Sequence, residues 1–167
     1  MPDLAAQLRE LHQSDDAGVP FCVECCHAWP CRTIRLADNP RRWRLLYTAS
    51  RLVTDRAQVY ADLDTVLAAH PRLLVRHGAC RRGGDVLAAA WVNQRRREGC
   101  DVIADPRPAP WSLLGRIAGP MRNAYMVGLG ADEWLAHVHP DSRTGGATGC
   151  ATFADWAGVT GHREETR

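Results

Sequence analysis

Two stretches of this chain hold residue types that do chemistry when they are brought together. The first runs from Leu73 to Asp85, LLVRHGACRRGGD: an apolar run, then a turn with Gly78, Gly83 and Gly84, then Asp85 opening the alanine-rich run VLAAAWV. Strand, glycine turn and helix in that order set a helix N-terminus beside a bound anion, with its unpartnered N–H groups and the positive end of its dipole. Glycines let that backbone approach a phosphate with no side chain in between. The same residues also make a plain tight turn with Asp85 as N-cap, and on their own they leave both readings standing.

The second stretch, Phe21 to Arg32 (FCVECCHAWPCR), holds four of the seven cysteines and His27. Cys22-x-x-Cys25 puts two thiolates on one turn, the first half of a structural zinc site. Cys31 and His27 complete a set of Cys22, Cys25, His27 and Cys31, with Cys26 or His12 as the alternative for the fourth place. Zinc is the one cofactor this predicts, and its binding would help order a loop-rich segment. A redox dithiol and unligated thiols are the competing readings.

The elements that must position these residues follow from periodicity. Leu4, Leu8 and Leu11 predict a short amphipathic helix over Asp3 to His12. Asp38-Asn39-Pro40 is a turn signal, and residues 1–43 read as an extension before a main domain over 44–167. In that domain, strands are predicted at 44–48, 73–75, 100–104 and 133–139. Helices alternate with them: one capped by Asp55, one at 85–98, one near 119–129 and one at 150–157. The run from Thr144 to Gly149 reads as a glycine-rich loop, and the charged tail REETR as solvated. Strands alternating with helices imply βαβ units and a parallel sheet, in which ligands sit beyond the carboxyl ends of the strands. Three loops fall there: Thr48–Arg51, His77–Asp85 and Asp141–Gly149.

Composition narrows the function classes. Apolar residues make up 46% of the chain, enough for a core without disulfides, and the net charge of +2 leaves no strong footprint for nucleic acid or membrane. All 21 cationic residues are arginine, which suits phosphate recognition but is equally a mark of GC-rich coding sequence. Met1 to His12 has no apolar core of a secretory leader, and no run approaches the length of a membrane helix. A cytoplasmic protein with reduced thiols is expected. Trp91 and Trp111 read either as base-stacking surfaces or as packing. His137 and His139 fall on one strand face, and Cys80, Cys100 and Cys150 read as small apolar residues.

In order and spacing, RLLYTASR, HGACRRGGDVLAAAW, W-x(7)-GPMRNAYM and GADEWLAH resemble the YspA-type branch of the SLOG superfamily, related to the LOG and DprA proteins. The resemblance covers about Arg44 to Val159. It implies an α/β, Rossmann-like parallel sheet flanked by helices that binds a nucleotide or nucleotide-derived ligand, here with a small cysteine-rich, zinc-knuckle extension in front. Ser50 and Arg51 match the family's Gly-Ser-Arg loop, with Ala49 where glycine is usual. His77-Gly78 and Gly83-x-Asp85 match its His-Gly and Gly-Ala-Asp pieces, with Gly84 in place of alanine. Arg122 and Asn123 match its Arg-Asn pair. Gly146, next to Gly145, falls on the glycine of its late Gly-Thr turn, where relatives hold a phosphate; Ala147 stands in the threonine position, or Thr148 serves with a shifted register. LOG enzymes cleave the N-glycosidic bond of a nucleoside monophosphate with a Glu after that turn; here Asp155 is the one nearby carboxylate.

The expected ligand set is therefore Ser50, Arg51, Gly78, Gly83, Gly84, Asp85, Arg122, Asn123, Gly145, Gly146 and Thr148, with no catalytic residue named. The expected partner is a nucleotide-type small molecule, with no membrane contact, nucleic acid disfavoured and self-association open. Two rivals stand beside it. One is a LOG-type nucleotide N-glycosidase, or phosphoribohydrolase, using Asp85 or Asp155. The other is a zinc-containing nucleic-acid adaptor, with Arg41-Arg42 and Arg95-Arg96-Arg97 on phosphates.

Overall fold

Four short apolar or mixed runs become strands because each is flanked by a turn residue and separated from the next by a helical period, and a fifth, charged run joins them at the edge. In the computed structural model, which describes residues 41–143 and 145–167, the strands are β1 (Trp43–Ala49), β2 (Arg72–His77), β3 (Asp101–Pro106), β4 (Glu133–Val138) and β5 (Gly161–Glu165). They form one parallel sheet in the order β3-β2-β1-β4-β5. The helices between them are α1 (Arg56–Ala69), α2 (Gly84–Arg97), the single turn α3 (Trp111–Leu114), α4 (Ala118–Gly128) and α5 (Gly146–Trp156). This is the doubly wound, Rossmann-like arrangement the βαβ pattern predicts.

Alternation along the strands splits the core between the two faces of the sheet. Leu45, Tyr47, Val75 and Leu135 pack with Val59 and Leu63 of α1 and with Ala88, Trp91 and Val92 of α2. Leu46, Trp134 and Ala136 face the other way, onto Met126 of α4 and Cys150, Ala151 and Ala154 of α5. Trp91 belongs wholly to the core: it is 0% exposed, and its Nε1 donates to Asp64 Oδ1 at 2.8 Å. The same carboxylate holds Arg95 at 2.5 Å and ties α1 to α2.

The structure corrects several expectations. Asp85 is not the N-cap of α2; Gly83 is, and Asp85 stands in the first turn. The late glycine loop is shorter than predicted, because Gly146, Ala147, Thr148 and Gly149 already belong to α5. The tail is not free in solvent: residues 161–165 pair with β4 as an edge strand, and the Arg167 carbonyl accepts from Thr54 N and Asp55 N at 3.0 and 2.6 Å. A charged edge strand is stabilised by main-chain pairing and carries no apolar alternation to announce it. Asp55 caps α1 as predicted, accepting from Gln58 N at 3.0 Å. The predicted N-terminal helix and the zinc set Cys22, Cys25, His27 and Cys31 lie outside the described residues.

Candidate functional site

In the sheet order, β1 pairs β2 on one side and β4 on the other. The connection after β1 therefore runs toward β2 and the one after β4 runs the other way, toward β5. The crevice this opens between β1 and β4 is where α/β sheets bind ligands. A cavity of about 920 Å³ lies there, walled by the loops that follow β1, β2, β3 and β4. Four arginines line it (Arg51, Arg81, Arg82 and Arg122) against one carboxylate, Asp85.

Arg122 is held by its neighbours. Its Nε donates to Asn123 Oδ1 at 2.9 Å and its Nη1 to the Arg107 carbonyl at 3.3 Å. Asn123, itself buried, donates from Nδ2 to the Gly146 carbonyl at 2.9 Å. The amide thus orients the guanidinium with one end and the start of α5 with the other, which makes Asn123 a positioning residue. Gly78 belongs to the same construction: a Cβ there would coincide with the Arg122 guanidinium. The His-Gly and Arg-Asn pieces of the sequence are in this way two halves of one contact.

The start of α5 forms another wall. Gly145, Gly146 and Gly149 all line the cavity, and a Cβ at any of them would meet nothing within 4 Å. The first turn of α5 contains no acidic residue and its N-cap makes no side-chain hydrogen bond. Such an end presents unpartnered N–H groups and a positive partial charge.

Electrostatics on the β2 side differ. Asp85 is 5% exposed and accepts from Cys80 N at 2.9 Å. Burial raises its pKa, opposed by the Cys80 hydrogen bond and by the charges of His77, Arg122 and Arg51. Burial also lowers the pKa of His77, with the Asp85 charge acting against it. His77 Nδ1 accepts from Ala79 N at 3.2 Å, which puts the proton of the neutral ring on Nε2, an atom without a hydrogen-bond partner among the described residues. Ala79, with φ 51°, is the one described non-glycine residue in left-handed backbone.

The sequence profile of the YspA, cpYpsA-related SLOG family matches residues 43–107. The Gene 61 protein of Mycobacterium phage D29 is 38% identical over 117 residues, which span 70% of this chain and 91% of the phage protein. The chain belongs to this SLOG family. No solved structure matches it significantly.

Ala49 and Gly84 are matched to each other. A Cβ on Gly84 would fall on the Cβ of Ala49 and stand 2.8 Å from the Tyr47 hydroxyl. Only one methyl fits between the β1 loop and α2. This SLOG chain places it at Ala49 and keeps glycine at 84. Gly83 has its own requirement: its φ is 77°, and a Cβ would stand 2.5 Å from Arg51 Cα.

Of the residues expected to bind ligand, Ser50, Arg51, Gly78, Asp85, Arg122, Asn123, Gly145 and Gly146 line the cavity. Gly83, Gly84 and Thr148 do not. The first two stand behind the wall, letting α2 approach β1, and Thr148 sits inside α5, its carbonyl accepting from Thr152 Oγ1 at 3.0 Å. Asp155 is also outside: it accepts from Trp134 Nε1 at 3.1 Å. Arg95, offered above for nucleic acid, is engaged by Asp64 and Glu98. Residue reasoning missed Arg81, Arg82, Pro108 and Phe153 as lining residues. The two arginines were visible inside the glycine turn, whereas nothing in the local sequence marks Pro108 or Phe153. Among the described residues, no group of three or more His, Cys, Asp or Glu is placed to hold a metal, and no helix is long and apolar enough to cross a membrane.

Proposed function

We propose that this protein binds a phosphorylated, nucleotide-type small molecule in the cavity at the carboxyl end of its sheet. The observation that carries the reading is the start of α5: uncapped, free of acidic residues, bare of side chains at its glycines, and joined through Asn123 to the Arg122 guanidinium. A phosphate at that wall would accept from α5 amides and pair with Arg122, both charge-assisted contacts. Arg51, Arg81 and Arg82 add to the positive field, and Asp85 is the acceptor available to a ribose hydroxyl. The volume falls within the range of small-molecule sites.

Calorimetric titration with AMP and with adenosine tests this directly. AMP should bind well ahead of the uncharged nucleoside, and Arg122→Ala should cost at least about tenfold in AMP affinity, the order of one charge-assisted contact. Equal binding of the two ligands, or indifference to Arg122→Ala, would sink the reading.

A second reading, N-glycosidic hydrolysis, is favoured by one observation. Asp85 is a carboxyl group lining the cavity whose pKa is raised by burial, the property a general acid needs. Release of free base from nucleoside monophosphates, abolished by Asp85→Asn, would establish it; Asp155→Ala should leave that release unchanged.

A further inference from the structure

The two tryptophans that the sequence leaves undivided have opposite fates. Trp91 is core, while Trp111 is 50% exposed and stands in the cavity wall. We infer that Trp111 is the platform on which the planar base of the ligand stacks, and so the residue that separates nucleotides from bare sugar phosphates. This deepens the phosphate-binding reading above and rests on it.

The wall that Trp111 belongs to differs in kind from the phosphate wall. It comes from the connection after β3, where Pro108 and Ala109 also line the cavity and prolines at 106, 108 and 110 stiffen the backbone. Trp111 N donates to the Ala109 carbonyl at 2.9 Å, which fixes the start of the turn. The ring is seated against α4 at Gly119, where a Cβ would stand 3.1 Å from its six-membered edge. Gly119 thus leaves room for the indole, whereas any side chain there would press on it.

The remaining contact of the ring is loose. The Arg51 guanidinium lies 5.8 Å from the ring centroid, near the outer limit of a cation–π pair, and at a half-exposed site such a pair contributes little. A base in van der Waals contact with the indole would cover far more of its surface than Arg51 does at that distance. Arg51 is exposed and able to swing aside or to pack on the far face of the base. Base–aromatic stacking tolerates any base, because each has a π-face.

The test is titration of the full-length protein with AMP, GMP, CMP and UMP, and with ribose 5-phosphate as the probe that has phosphate and sugar but no base. The wild type should bind each nucleotide about tenfold or more tighter than ribose 5-phosphate, the order of one stacked base. Trp111→Ala should remove that advantage while leaving ribose 5-phosphate affinity unchanged, and Trp111→Phe should restore most of it. An unchanged melting temperature for Trp111→Ala shows that the fold is intact. If ribose 5-phosphate binds the wild type as tightly as the nucleotides, in an Arg122-dependent way, the platform is refuted and the phosphate site survives. If Trp111→Ala weakens both probes alike, the residue shapes the pocket and reads no base, and the inference fails. If none of the probes binds the wild type, both readings fall together.

Discussion

The molecule has two glycine turns at the carboxyl rim of its sheet, and they use glycine for opposite reasons. At Gly83 and Gly84 the space a side chain would need is already filled, by Ser50 and Arg51 in one case and by Ala49 and Tyr47 in the other. At Gly145, Gly146 and Gly149 the space is open. The helix that follows the first turn carries an acid, Asp85, in its first turn; the helix that follows the second has none. A glycine-rich strand–turn–helix is therefore not in itself an anion site. Where the glycines serve close packing and the helix end holds its own carboxylate, the positive end is partly satisfied from within. Where they leave bare backbone, it is available to a ligand.

Substitutions can break this comparison, beginning with the largest effect. Gly83→Ala should destabilise the protein by about 3 kcal/mol, since its backbone favours glycine and the new Cβ would meet backbone atoms that cannot move aside. Chemical denaturation would register the loss, and a change below about 1 kcal/mol would show that the turn is looser than described. Gly84→Ala should cost about 1–3 kcal/mol by overpacking. Adding Ala49→Gly should recover most of that, so the double variant should denature within about 1 kcal/mol of the wild type. Additive costs in that cycle would refute the single-methyl slot.

The second turn should answer in the opposite way. Gly149→Ala, with open space around it, should leave stability unchanged or raise it by up to about 1 kcal/mol, because alanine is the better helix former. Gly146→Ala should be equally harmless to the fold yet weaken AMP binding if the phosphate rests there. Loss of stability in either variant would mean that this turn, too, is packed.

A smaller effect concerns pH. The Asp85 pKa is raised by burial, so its charge, which repels an anionic ligand, disappears as pH falls through that raised value. Affinity for AMP should therefore increase on acidification from neutral pH, and Asp85→Asn should flatten the rise. The ratio of the two affinities removes the phosphate's own titration near pH 6. A ratio that does not vary with pH would place Asp85 out of the ligand's reach. Least dramatic is Cys150: buried on α5, its thiol is pushed up to about 11. It should resist alkylation in the native protein and react only on unfolding, as peptide mapping by mass spectrometry would report.

Much of the fold was legible because strands and helices alternate along the chain with clear periodicity and turn residues between them. The edge strand β5 was not, since pairing with β4 asks only for extended backbone and its residues are charged. The site was legible in part. Ser50, Arg51 and Asp85 stand in loops that local pattern places at one rim, whereas Arg122 and Asn123 were brought to it by the family resemblance. Trp111 and Phe153 could not be read in that way, because which wall each side chain meets depends on segments distant in the sequence.

By itself, then, the sequence determined four of the five strands of a parallel sheet and which end of that sheet carries glycine and arginine, because those depend on local periodicity and turn chemistry. Tertiary structure alone decided what each glycine is for, since that depends on which atom of a distant segment occupies, or leaves empty, the place of a single methyl group.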